Sequence, residues 1–174
     1  MRVMRNIAVR RAPGNTREGR LALAHGVRRV ALGRSGTAAL KKEADGATPI
    51  GRFPVRQVLY RADRLPRPRT RFPVQAIRAG EGWCEDPAHR NYNKLVKLSG
   101  RVEADSLHRA DHVYDLVFVL GYNDRPRVRG RGSAIFVHLA RQGYAPTAGC
   151  IALSRHDLSM LLAQLRRGSA IVVL

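Results

Sequence analysis

The sequence predicts a mainly β domain, a sandwich or barrel with one clear C-terminal helix. Three observations predict it. Short segments rich in Val and Ile recur along the chain and end at Gly, Pro, Asn or Asp, the punctuation of strands and turns. One stretch near the C-terminus carries leucines at helical spacing behind a capping residue. No regular helices separate the strands, which argues against a wound α/β sheet. The chain has 174 residues, one domain's worth (1–174) and enough to bury a core. No internal repeat and no linker divides it.

Taken in order, strands are expected at residues 6–10, 20–24, 27–32, 53–59, 74–77, 95–98, 114–120, 133–139 and 170–173. Val27-Arg28-Arg29-Val30-Ala31-Leu32 and Ile135-Phe136-Val137-His138-Leu139 carry the strongest β signal. The helix starts at Ser154, with Asp157 three residues on to complete a capping box. Leu158, Leu161, Leu162 and Leu165 form its apolar stripe. Arg166 and Arg167 complement the C-terminal dipole and Gly168 stops it. Residues 64–71 and 125–132 are Arg- and Pro- or Gly-rich and read as exposed loops. Residues 79–109 show little periodicity. Such a length without an element of its own reads as an ordered loop covering something.

Composition narrows the function. Lys and Arg total 32, of which 28 are Arg, against 13 Asp and Glu, a net charge of +19. The charge suggests an anionic partner, yet the bases are scattered and aromatics make up only 6%, thin for base stacking. No specific nucleic-acid site is expected. Apolar runs reach five residues at most, as in Leu116-Val117-Phe118-Val119-Leu120, far short of the roughly 20 residues of a membrane span. The first eleven residues hold four Arg around Ile7-Ala8-Val9, too short an apolar stretch for a signal peptide. Two cysteines, Cys84 and Cys150, make no disulfide framework.

The chemistry concentrates in Ile135-Phe136-Val137-His138-Leu139 and in Tyr144-Ala145-Pro146-Thr147-Ala148-Gly149-Cys150-Ile151. Eleven residues separate His138 from Cys150, enough for a loop to bring them together. Cysteine attacks as thiolate, and a neighbouring imidazole can take its proton. Gly149 permits a tight turn. Backbone N–H groups at such a turn can hold a tetrahedral oxyanion.

His138 followed by Thr147-Ala148-Gly149-Cys150-Ile151 resembles the L,D-transpeptidase catalytic domain, the YkuD type. Asp45-Gly46-Ala47-Thr48-Pro49-Ile50-Gly51-Arg52-Phe53 resembles that family's Thr-Pro-x-Gly-x-Phe stretch. The resemblance covers about residues 27–174. It implies a β-sandwich of mixed sheets and cysteine-dependent acyl transfer on peptidoglycan stem peptides. By that resemblance Cys150 is the nucleophile, His138 the base, and Gly149 and Cys150 supply the oxyanion N–H groups. A backbone carbonyl orients the imidazole, Thr147 braces the turn, and no metal or cofactor is expected. It places the site of action in the cell envelope, although no signal peptide is visible and a cytoplasmic chain remains open.

The sequence departs from the family at four points. Leu139 follows the His where Gly is usual, the His-to-Thr spacing is short, Ala148 replaces a frequent His, and Ala152 replaces an Arg or Asn that holds substrate. Arg141 or Arg155 is therefore the expected cation for a substrate carboxylate, with Tyr144 in the same loop as a further contact. Trp83 and Tyr92 either line the groove or anchor a structural loop, and Cys84 is assigned no step. His108 and His112 lie four apart beside Asp111, a spacing that shares a helix face, but no third ligand stands near. A monomer is expected. The same site run with water would give L,D-carboxypeptidase or amidase hydrolysis. A non-catalytic basic module holding an anionic polymer is the competing class.

Overall fold

The computed structural model describes residues 5–174; residues 1–4, the start of the segment weighed as a leader, lie outside them. The strands are β1 Asn6–Ala12, β2 Asn15–Leu23, β3 Gly26–Ala31, β4 Thr37–Ala38, β5 Thr48–Pro49, β6 Gly51–Tyr60, β7 Val74–Ala76, β8 Glu81–Cys84, β9 Leu95–Lys97, β10 Ala104–Ser106, β11 Leu116–Leu120, β12 Phe136–Leu139, β13 Ile151–Leu153 and β14 Ala170–Val173. The helix α1 spans Arg155–Gln164, between β13 and β14. The molecule is mainly β with a C-terminal helix, as the sequence predicts.

Nine strands form one mixed sheet in the order β11-β12-β13-β3-β2-β1-β14-β6-β7. The β11 strand also pairs with β6, so the sheet closes into a ring of eight strands with β7 outside it. Closure removes the exposed strand edges that invite aggregation. The pairs β1–β14, β12–β13 and β6–β7 are parallel and the rest of the ring is antiparallel. Ile7, Val9, Leu21, Val30, Leu32, Phe118, Val137, Ile151, Leu153 and Ile171 fill the interior at zero exposure.

A single β-bulge keeps β6 in phase with that core. Leu120 pairs with Val55 and Val119 with Gln57, so Arg56 is an extra residue on β6. Side chains alternate with period two, and an inserted residue reverses the alternation. Phe53 and Val55 therefore point inward before the bulge, and Val58 and Tyr60 after it.

The segment 79–109, read as an ordered loop, instead carries β8, β9 and β10, paired as the three-stranded sheet β10-β8-β9. Three- and four-residue strands are too short to show a period. This sheet covers the outer face of β11 and β12. There Trp83, Leu107, Val113, Tyr114, Val117, Val119, Phe136 and Cys150 form a second apolar cluster. Trp83 and Tyr114 both meet the Phe136 ring edge-on, with centroids 5.2 and 5.8 Å apart.

The α1 N-terminus matches expectation. Ser154 Oγ accepts from Asp157 N at 3.1 Å and donates to its carboxylate at 2.8 Å. The C-terminus comes earlier than expected: Gln164 is the last helical residue and Leu165 is already extended. Gly168, at φ +84°, turns the chain toward β14 rather than ending the helix. Arg166 still reaches back, donating to the carbonyls of Ala163 and Leu165 at 2.8 Å.

Candidate active site

The parallel pairing of β12 and β13 creates the site. Val137 pairs with Ile151 and His138 with Ala152. Val137 and Ile151 point into the ring, so Phe136, His138, Cys150 and Ala152 share its outer face. His138 and Cys150 are thus diagonal neighbours on adjacent strands, the first 4% and the second 7% exposed.

The turn before Cys150 is held from three sides. Thr147 Oγ donates to Cys150 O at 2.7 Å and accepts from Gly149 N at 3.1 Å. Thr147 also bonds the β3 end, its N to Leu32 O at 2.9 Å and its O from Arg34 N at 2.8 Å. Thr48 Oγ accepts from Gly33 N at 2.8 Å and donates to Cys150 O at 3.5 Å. The two sequence motifs, 45–55 and 147–153, therefore meet in space. Gly149 has φ +140°, and a Cβ there would lie 2.8 Å from Ala47 O. Both the backbone angle and the close approach require glycine.

The His138 Nδ1 lies 2.9 Å from Leu139 O. A carbonyl only accepts, so Nδ1 carries the proton and Nε2 the lone pair. The Tyr114 ring meets the imidazole edge-on at 5.2 Å. The Cys150 thiol donates to Ala134 O at 3.1 Å and accepts from Phe136 N at 3.4 Å. No hydrogen bond joins it to His138. Burial lowers the His138 pKa to about 4 and raises the Cys150 thiol to about 12. Desolvation disfavours the charged form of each, so the resting pair is neutral.

Cys150 opens onto a cleft of about 360 Å³. Arg34 and Lys41 line it together with Glu43, Glu85, Glu103 and Asp105, and Tyr114, Ser133, Ala134 and Ala148 complete the walls. Lys41 is 4% exposed and pairs with Asp45 at 2.6 Å.

The predicted contact residues scatter. Arg141 pairs with Asp111 at 3.3 Å and Arg155 with Asp115 at 3.1 Å, and neither lines the cleft. The Tyr144 ring lies under Arg29, 4.5 Å from its guanidinium carbon. Trp83 is buried and donates to Asn93 Oδ1 at 2.8 Å. The Tyr92 hydroxyl is bonded to Glu43 and accepts from Gly132 N at 3.0 Å. Gly149 N–H, expected at the oxyanion, is taken by Thr147. Cys84 is buried in β8, its Sγ 4.0 Å from Asp86 O. Residues 108–112 form no helix, and His112 bonds Asp115 at 2.9 Å. No group of three metal-ligating side chains exists among the described residues.

Sequence reading missed Lys41, Glu85, Asp105, Tyr114 and Ser133 at the cleft. They come from four segments far apart in the chain. The only local signal is Glu85, inside a turn-rich stretch already singled out for Trp83.

A family model described as the L,D-transpeptidase catalytic domain, YkuD, matches residues 12–173. The chain belongs to the YkuD family. The match begins earlier than the motifs suggested, taking in all of β2 and the turn before it. Among solved structures, the chain is similar to "Structure of Bdellovibrio bacteriovorus Bd1075" at 12% identity and a TM-score of 0.45. That alignment covers 97% of this chain and 47% of that one, so this chain spans about half its length. No curated protein matches by sequence. Among the described residues, no helix is long and apolar enough to cross a membrane.

Proposed function

We propose that the protein is a cysteine-dependent L,D-transpeptidase acting on peptidoglycan stem peptides in the cell envelope. One observation carries the reading: the cleft-lining thiol of Cys150 shares a sheet face with a neutral imidazole whose Nε2 lone pair is free. Cys150 is the nucleophile and His138 the base.

In the resting state the thiol keeps its proton and donates it in a hydrogen bond to Ala134 O. Substrate in the cleft displaces that bond, and Nε2 of His138 takes the proton as sulfur attacks the scissile carbonyl carbon. The Cys150 N–H, at the same turn as the occupied Gly149 N–H, faces the developing oxyanion. The imidazolium then protonates the departing amine, the C–N bond breaks, and a thioester remains. An amine of a second peptide attacks the thioester and gives a cross-link; water gives hydrolysis. A neutral resting pair fits this order, because the ion pair forms only when substrate excludes water and the acyl group receives the charge.

Intact-protein mass spectrometry with a tetrapeptide muropeptide donor tests it. The wild type gains the acyl mass and releases the terminal D-amino acid, and Cys150→Ala does neither. An adduct on Cys150→Ala, or none on folded wild type with an alkylatable Cys150, removes the reading.

A further inference from the structure

The outer face of β1, β2 and β3 lies open and carries charge of one sign. These strands hold six arginines, Arg10, Arg11, Arg17, Arg20, Arg28 and Arg29, against one acid, Glu18. Elsewhere acids match the arginines around them: Asp111 holds Arg109 and Arg141, Asp115 holds Arg64 and Arg155, and Asp124 holds Arg56. On β3, Arg29 takes Glu18 at 2.6 Å and Arg28 reaches Asp157 at 3.0 Å. Arg10, Arg11 and Arg20 are exposed and pair with no acid among the described residues.

Strand register sets the pattern. Arg10 stands directly opposite Arg20, and Arg20 directly opposite Arg29. Their neighbours Val9, Leu21 and Val30 point into the ring, so the three arginines share its outer face. Like charges placed opposite each other on a sheet are destabilising, and an anionic surface laid over the row removes that repulsion. The next row on this face is apolar: Val27 pairs with Ala22, and Ala8 with Val172. Val27 is 58% exposed. Two open hollows of about 360 and 410 Å³ sit on the face and share Arg20 and Val27.

A row of cations beside a row of small apolar side chains suits the boundary of an anionic bilayer. There guanidinium groups meet phosphates, and apolar side chains meet the edge of the acyl region. A charged polymer in solution makes no use of the apolar row. The three strands contain no aromatic residue on which bases could stack. We propose that the outer face of β1, β2 and β3 docks the protein on an anionic phospholipid bilayer. The β1 strand stands four places round the ring from β12, so a bilayer on that face leaves the Cys150 cleft turned away from it. Docking makes no use of Cys150 and is independent of the acyl-transfer reading.

Vesicle flotation with the full chain tests it, at about 0.1 M salt. Wild type partitions onto phosphatidylcholine vesicles containing about one-third phosphatidylglycerol and not onto phosphatidylcholine alone. Arg10→Gln/Arg20→Gln lowers that partitioning about 30-fold, the effect of two arginines near an anionic surface. Neither side chain has an acidic partner, and their loss relieves repulsion, so the variant melts no lower than wild type. Arg67→Gln/Arg69→Gln removes the same charge from exposed positions between β6 and β7 and changes partitioning less than about threefold, because distant charges are screened. Three results would overturn the proposal: no preference for the anionic vesicles, an equal loss in both double variants, or tighter binding of long-chain polyphosphate than of vesicles at equal phosphate. The last would assign the face to a phosphate polymer instead.

Discussion

The two faces of the ring invite comparison, because the same strands build both. The inner face carries an apolar cluster with side chains from all eight strands and α1. The outer face of β11, β12 and β13 uses the alternate positions of those strands. It begins as a core, with Val117, Val119 and Phe136 under the three-stranded sheet, and ends as a cleft with Cys150 and four carboxylates; His138 lies buried on the same face, one strand over. Period-two alternation therefore separates stability from chemistry residue by residue: Val137 and Leu139 hold the ring while His138 between them faces the site. The outer face keeps Ser133 unpaired and Ala134 at a positive backbone angle, and such strained features cluster at functional sites.

The sharpest way to break this division is to compare the two thiols. Both are buried, and burial raises the pKa of both. Only Cys150 opens onto the cleft and shares a face with His138. Cys150→Ala should abolish acyl-enzyme formation and leave the melting temperature close to wild type, while Cys84→Ala should keep most of the acylation. The reverse ranking in intact-mass measurements would place the chemistry elsewhere.

An inner-face lesion should do the opposite. Phe118 is fully buried inside the ring, and Phe→Ala in such a site costs about 3–5 kcal/mol. Denaturant unfolding of Phe118→Ala should show a loss of that size. Its acylation rate, measured below the unfolding transition, should stay within a few-fold of wild type. A specific loss of acylation from folded protein would show that the faces are coupled.

The inner face was largely legible in the sequence because it is written locally. Alternation around Val27–Leu32 and Ile135–Leu139 marked β3 and β12, and Ser154 with Asp157 marked the α1 start. The β6 bulge was not legible, since Arg56 looks like any other strand residue until β11 pairs with it. The placing of His138 and Cys150 on one face was legible through their motif spacing; their roles as base and nucleophile are those proposed above. The cleft walls were not, because Lys41, Glu85, Asp105 and Ser133 converge through strands of three or four residues and through loops. Arg141 and Arg155 were chosen for nearness in sequence, and the folded chain spends both on Asp111 and Asp115.

Gly149 tests the outer face without touching its reactive groups. A methyl at 149 must displace Ala47 O from 2.8 Å and force alanine to φ +140°. The turn would shift, moving the Cys150 N–H away from the oxyanion position. Acylation by Gly149→Ala should fall about 10²–10³-fold, the effect of losing one oxyanion donor, while alkylation of Cys150 persists. Activity within tenfold of wild type would show that the turn geometry is not used.

The smallest expected effect is a change of slope with pH, and it separates two groups of the outer face that act in opposition. Burial holds His138 near 4, below its ordinary 6.5. As pH falls below 6.5 the unfolded chain gains this proton before the folded one does, so stability declines toward pH 4. Burial, reinforced by Asp105, raises Glu85 from 4.5 to about 7. As pH falls through 7 the folded state gains that proton first, so stability rises until about 4.5. The two trends oppose each other between about 6.5 and 4.5. Glu85→Gln should therefore steepen the acid-side fall in melting temperature across that window, and His138→Gln should flatten or invert it. Parallel melting curves for wild type and both variants would mean that neither group sits in the environment the cleft provides.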